Sequence, residues 1–450
     1  MAHKATLHTG QINGERKSGT WFWVLLSILI VILVGLGLRW GSGILEKDRT
    51  WDERYIMMPI QDLVDRGWSV DTAIDFQEAK GPAMIWPYAV WGDVIGPSLN
   101  SYRFLSVICF ILTLFPLLVL ALRCGLPPPT LPLVAIGLVL LPFEAVLSQL
   151  VMGEPSYVLI VACMLVVVLW GAGDRDQAAS PLISRCLAPV LYGILLLILL
   201  HSRVHVVAIA GGVCLAMAWR DGARSWPWWL ASIIAGLLRI PLWMRWGGLV
   251  SSDYQGMHGF GFRLESLTYL GAALAIPFAI FLLVWLWRYR RLAWWWLAPM
   301  GAFCGLLLGV VAPSDLIDPQ TWGDVKSASL FLGPTRSAII GAVGAESMQW
   351  IPLSIAAAIG LGGLGALGAM ALEERDDKAI ATLGRLQFFT LVCGWGLYLF
   401  TKGFVFDRFL LAWTAAMPVV WVAMLPRWAW ILQTIGLAVL LAMSALTWLW

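Results

Sequence analysis

The chain has 450 residues, 60% of them apolar and 13% charged, with a formal net charge of +3. Soluble domains carry about 25% charged residues, so composition excludes a water-soluble globular protein, and the small net charge implies no nucleic-acid partner. Apolar runs of bilayer length recur from end to end, which predicts an all-α polytopic membrane protein without a separate soluble domain.

The first run, from about Trp21 to Leu38, is preceded by His3, Lys4, Arg16 and Lys17, and no small-residue cleavage site follows it. It reads as a retained span with the N-terminus in the cytoplasm. Loop 41–100 follows, and it is polar where the rest of the chain is apolar. It reads WDERYIMMPIQDLVDRG, then DFQEAKGPAMIWPYAVWG. Two amphipathic helices are predicted here. One, from Asp52 to Arg66, has Ile56, Ile60 and Leu63 on one face and Gly67 as its stop. The other, from Pro82 to Trp91, shows Met84, Ile85, Tyr88 and Trp91. Both suit a position flat on the bilayer surface.

Spans are predicted at 21–40, 101–122, 130–148, 154–171, 187–201, 204–219, 226–243, 267–287, 293–312, 350–372, 386–401, 408–425 and 428–448, about thirteen in all. The cytoplasmic turns then carry Arg123, Arg175 and Arg185, Arg220 and Arg224, Arg288, Arg290 and Arg291, Arg375, Lys378 and Arg385, and Arg427, as the positive-inside rule requires. The odd count puts Trp450 outside. Loops 41–100, 245–266 and 313–349 are the longest and all face outward, so the functional face is the periplasmic or extracellular one. Most of the 28 Trp sit at the ends of apolar runs as an interfacial belt. Trp51, Trp86 and Trp91 lie in the loop and could contact a sugar or a lipid chain. The seven Cys are scattered and read as small buried apolar residues, not as a zinc or disulfide framework. The glycines from Gly360 to Gly368 predict close helix packing.

Polar residues at the outer face are the candidates for chemistry. Asp52 and Glu53 either cap the first loop helix or take a proton from a hydroxyl nucleophile. Tyr55 lies in the same segment. Lys80 stands just before a helix start, where a phosphate is welcome, and Glu78 either orders it or assists the base. A surface salt bridge in a turn is the plainer account of that pair. Glu154 opens a span in VMGEPSYV as a cap or as a site acid. Arg203, with His201 and His205 on either side, lies at the membrane rim. It either snorkels to the interface or faces a cavity. Arg239, Arg245, His258 and Arg263 lie in or near the Gly-rich loop 245–266, and one of them could supply a second phosphate contact. Arg408, after Asp407, opens a late span.

Taken in order, WDERY at Trp51–Tyr55, EAKGP at Glu78–Pro82, SYRFLSV at Ser101–Val107, GEP at Gly153–Pro155 and DRFLL at Asp407–Leu411 resemble the membrane glycosyltransferases of the C type. That superfamily includes the lipid A aminoarabinose transferases and the protein O-mannosyltransferases. The likeness covers about residues 20–170 and 400–425. The resemblance implies a GT-C fold over 1–450, with the catalytic motifs in loop 41–100. It implies an inverting sugar transfer from a polyprenyl-phosphate donor to an acceptor hydroxyl on a lipid, polysaccharide or protein, at the periplasmic face of a bacterial inner membrane. Asp52 would be the base, aided by Glu53 or Glu78. Lys80 and one of Arg203, Arg245 or Arg263 would hold the donor phosphate. A divalent ion, Mg or Mn, could sit between Asp52 and Glu154. The sequence departs from the family in having KGP where KPP or KPA is common, and in lacking the large soluble C-terminal domain of many relatives. Two other classes stay open: a transporter or flippase of a lipid-linked substrate, and an enzyme like the O-antigen ligases and polymerases.

Overall fold

The structure is a computed structural model that describes residues 16–49, 53–67, 69, 71–72, 80–173, 182–252, 255, 261–288, 293–312, 335, 339, 350–373, 379–400 and 410–448. Among them every regular element is a helix. Helix α1 (Arg16–Gly41) turns Trp21, Phe22, Leu25, Leu29 and Leu33 outward and buries Val31. Two short helices follow in the first loop, α2 (Glu53–Arg66) and α3 (Trp86–Ile95), the latter preceded by a 3-10 turn at Pro82–Met84. Ile56, Met57, Ile60 and Leu63 of α2 are buried, as are Met84, Ile85 and Tyr88. The predicted apolar faces are correct, but protein covers them: α2 packs on α3, and α3 on the next helix. Covered in this way, those apolar faces are not free to enter lipid.

Helix α4 (Leu99–Arg123) is capped by Ser98, whose hydroxyl accepts the Ser101 N–H, and ends in Arg123 beside its carbonyl pole. The span expected at 130–148 is broken. Helix α5 (Leu131–Val139) stops, the chain turns at Leu140 and Leu141, and Pro142 starts α6 (Pro142–Leu147). A proline at a helix start loses no hydrogen bond there but cannot continue a preceding helix. Gly153, with φ +80°, then turns the chain into α7 (Glu154–Ala172).

Helix α8 (Leu182–Leu200), α9 (Val207–Asp221) and α10 (Trp226–Trp246) come next. The spans expected at 204–219 and 226–243 are joined in one helical run, with a 3-10 turn at Gly222–Ser225 between them. Helices α11 (Leu264–Ala273) and α12 (Ala275–Arg288) meet at a bend of 69°. Then follow α13 (Leu297–Val311), α14 (Trp350–Glu373), α15 (Ala379–Leu397), α16 (Leu410–Trp413), α17 (Met417–Met424) and α18 (Arg427–Trp448).

Six helical segments are long and apolar enough to cross a membrane, and the bent pair α11–α12 makes a seventh. Four shorter apolar helices, within Pro128–Val139, Cys186–Leu200, Leu297–Val311 and Arg427–Ala442, fall inside other predicted spans. The chain is thus an all-α polytopic membrane protein. Helix α14 sits between α11, α12 and α13 and is buried along most of its length. A Cβ at Gly360 would collide with the Gly271 carbonyl, at Gly363 with that of Phe278, and at Gly365 with that of Leu297. The glycine row therefore does what small residues do in membranes, letting backbones touch where hydrophobicity gives helices no reason to associate.

Candidate functional site

The first loop is bolted to the bundle by one ion pair. Arg103 of α4 and Glu53 at the start of α2 are both fully buried. Arg103 Nε donates to Glu53 Oε1 at 2.9 Å and Nη2 to Oε2 at 2.7 Å. The remaining guanidinium hydrogens go to the carbonyls of Ile44, Lys47 and Asp48. Glu53 Oε1 also accepts the Val151 N–H at 2.9 Å. The ion pair therefore joins four segments, the link after α1, the start of α2, helix α4 and the turn before α7.

That turn forms one wall of a polar cluster. Glu154, the first residue of α7, binds Arg203 in a second buried ion pair. Ser106 donates to the Leu150 carbonyl at 2.7 Å, and its oxygen lies 2.7 Å from the Tyr88 hydroxyl. Burial, above all, pushes the Tyr88 hydroxyl well above its ordinary pKa, so it stays protonated. The opposite wall is the segment HSR. Gly81 N–H donates to the Ser202 carbonyl at 2.7 Å, and Ala83 N–H to the His201 carbonyl at 3.2 Å. A Cβ on Gly81 would collide with the His201 carbonyl. The glycine of KGP is thus a steric requirement, since its φ of −70° is open to any residue. Beside this clasp Lys80 is only 3% exposed.

His201 is half buried, its Nδ1 2.9 Å from the Leu197 carbonyl. Burial lowers its pKa below 6.5, and the positive charge of Arg239 lowers it further. His205 stacks on Tyr398 with ring centres 5.2 Å apart, and its carbonyl accepts the Trp413 indole N–H at 3.1 Å. These contacts carry the cluster into the C-terminal helices. The 3-10 turn Tyr398–Phe400 that follows α15 also accepts the Gly261 and Arg263 N–H groups, at the Phe400 and Leu399 carbonyls.

The expected site residues therefore separate. The structure brings Glu53, Lys80, Glu154, Arg203, His201 and His205 to one end of the bundle. Tyr55, Arg245 and Arg263 have exposed side chains. Asp52, Glu78, His258 and Arg408 lie outside the described residues. Of the two residues named for a divalent ion, Glu154 is bonded to Arg203 and Asp52 lies outside the described residues; among the described residues no group of three or more metal-ligating side chains occurs.

Three buried ionisable residues were passed over or left unranked in the sequence. Arg103 holds the loop. Arg239 of α10 is 2% exposed. Glu144 of α6 has no exposed surface and, among the described residues, no hydrogen-bond partner on either carboxylate oxygen. Each is a lone charge inside an apolar run, which is itself the signal that would have found it. A cluster with a buried cation, a tyrosine hydroxyl, histidines and stacked aromatics is chemically suited to hold an anionic headgroup beside a polar, hydroxyl-bearing group. No protein-family model matches the chain, and neither a curated protein nor a solved structure matches it.

Proposed function

We propose that this chain is a membrane glycosyltransferase of the C type, which moves a sugar from a polyprenyl-phosphate donor to an acceptor hydroxyl at the outer face of the bacterial inner membrane. The observation that carries this reading is Lys80, a buried cation fixed by the Gly81–Ser202 clasp beside the Glu154–Arg203 pair. A lysine is a compact point charge well suited to a phosphate oxygen. In a water-poor pocket it stabilises the charge that develops as the phosphate leaves.

Asp52 is the base in this reading. In sequence it directly precedes Glu53, the residue that Arg103 clamps. Glu53, held by Arg103 and the Val151 N–H, positions and does not react. Glu78 leads into Lys80. Arg203 orders Glu154 and faces the same cluster. Inversion follows from direct attack of the acceptor oxygen on the anomeric carbon, with the phosphate departing from the opposite side. About thirteen passes, an N-terminus in the cytoplasm and a C-terminus in the periplasm belong to the same reading, and no step is routed through a metal.

The test is mass spectrometry of lipids retained by the gently solubilised protein, wild type against Lys80→Ala, with transfer assayed for Asp52→Asn. Polyprenyl-phosphate sugar held by the wild type and lost in Lys80→Ala supports the reading. Transfer at the wild-type rate in Asp52→Asn overturns the base assignment. The 69° break between α11 and α12 favours the transporter reading, because broken helices mark transport sites. Movement of the lipid-linked sugar across vesicles without transfer to any acceptor would select it.

A further inference from the structure

Helix α10 carries three N–H groups that have no hydrogen-bond partner among the described residues. Arg239 is 2% exposed, and its Nε and Nη1 are two of them. The buried indole N–H of Trp243, one helical turn on, is the third. Residues four apart share a helix face, so these donors converge. Trp246 completes the face, its ring centre 4.8 Å from the Arg239 guanidinium carbon.

Arginine and tryptophan side chains are donors only; they have no acceptor to offer one another. A buried guanidinium without an anion is costly at membrane depth. A face built only of donors, with a positive charge at its centre, is therefore complementary to an anion. Its position narrows the anion further. Arg239 lies seven residues before the helix end at Trp246, about 10 Å along the axis. Neighbouring Leu237, Leu238, Ile240 and Met244 are exposed apolar residues, a surface suited to acyl or prenyl chains. On the inner side, Arg239 is close enough to His201 to lower its pKa, and the His201 carbonyl holds the loop that carries Lys80.

We infer that the Arg239–Trp243 face of α10 is a binding site for the phosphate of a membrane lipid, reached laterally from the bilayer. The site joins the lipid-facing surface of α10 to the Lys80 cluster. A phosphate there accepts charge-assisted hydrogen bonds from Arg239 and one from Trp243, while Trp246 caps the guanidinium plane. The choice of a polyprenyl chain rests on the proposed function; the anion site rests on the orphaned donors.

The experiment takes the full chain in phosphatidylcholine nanodiscs and titrates sugar-free polyprenyl monophosphate, with polyprenol and inorganic phosphate as separate arms, read by native mass spectrometry. The wild type is expected to bind the monophosphate and not the alcohol. Arg239→Gln should weaken binding by about tenfold to a hundredfold, the scale of hydrogen bonds to a charged group. Trp243→Phe, which keeps the ring and removes one donor, should weaken it by a smaller factor. Arg239→Gln removes a buried charge without a partner, so its thermal stability should not fall. Unchanged affinity in both variants overturns the site. Displacement of the lipid by a comparable concentration of inorganic phosphate overturns the lipid source and leaves a free-anion site. Neither sugar nor acceptor is present, so this outcome and that of Asp52→Asn are independent.

Discussion

Arg103 and Glu53 stand fifty residues apart in sequence and meet through two parallel hydrogen bonds, neither side chain having any exposed surface. Such a pair is not a source of net stability by its existence, because desolvation of two charges offsets most of their attraction. Its role is positional. With three carbonyls and the Val151 N–H attached to it, it fixes where the first loop emerges from the bundle.

Removing one partner should therefore unfold the loop anchor. Glu53→Gln and Arg103→Ala are each expected to lower stability by about 3–5 kcal/mol, since each leaves a buried charge uncompensated. The double variant should cost less than the sum of the two. Unfolding in detergent measures all three. A Glu53→Gln protein that is as stable as wild type, yet inactive in transfer, would return Glu53 to a chemical role.

Gly81→Ala tests the clasp. The added methyl collides with the His201 carbonyl, so the hydrogen bonds from Gly81 and Ala83 must lengthen or break. Each such bond contributes about 0.5–1.5 kcal/mol. The expected result is faster hydrogen exchange at the Gly81 and Ala83 amides and weaker retention of a phosphate lipid, with the bundle still folded. Wild-type exchange at both amides would show that the loop is held by something else.

Much of this was readable in the sequence, and what was not has a common cause. The Ile56, Ile60 and Leu63 face of α2, the glycine row of α14 and the gathering of Lys80, Glu154 and Arg203 at one end all follow from local pattern. Where the pattern misled, the partner was distant. An apolar face does not say whether lipid or protein will cover it, so α2 and α3 were expected on the bilayer surface. Glu53 looked like its neighbour Asp52 because the arginine that occupies it is fifty positions away. Pro142 did signal the break within 130–148, but apolar content on both sides concealed it. Gly81 looked like a departure from a family motif until the His201 carbonyl showed what excludes a larger residue.

His201 gives a pH dependence with a definite sign. Its folded pKa lies below 6.5, first because burial disfavours the charged ring and then because Arg239 repels it. At neutral pH the ring is uncharged in both states. As pH falls through the unfolded value, the unfolded chain takes the proton first, so stability present above that value is lost towards the folded pKa. Wild type should lose stability relative to His201→Gln as pH falls from neutral through the ring's ordinary value towards its lower folded one. Parallel curves would show that the ring is not desolvated.

Glu144 offers the sharpest contrast with Glu53. Both are fully buried carboxyls, but Glu53 accepts from Arg103 and the Val151 N–H, and Glu144 has no donor among the described residues. Its neighbours in electrostatic reach are Glu154 and the Cys109 thiol, and the first of these opposes a second negative charge. A carboxylate in that position is costly, so the group should be held as the neutral acid. Glu144→Gln keeps the shape and removes the possibility of charge. It should leave stability at neutral pH unchanged or raise it by about 1 kcal/mol. A loss of several kcal/mol in Glu144→Gln would mean that the carboxylate has a cationic or donor partner, and that this partner comes from outside the described residues.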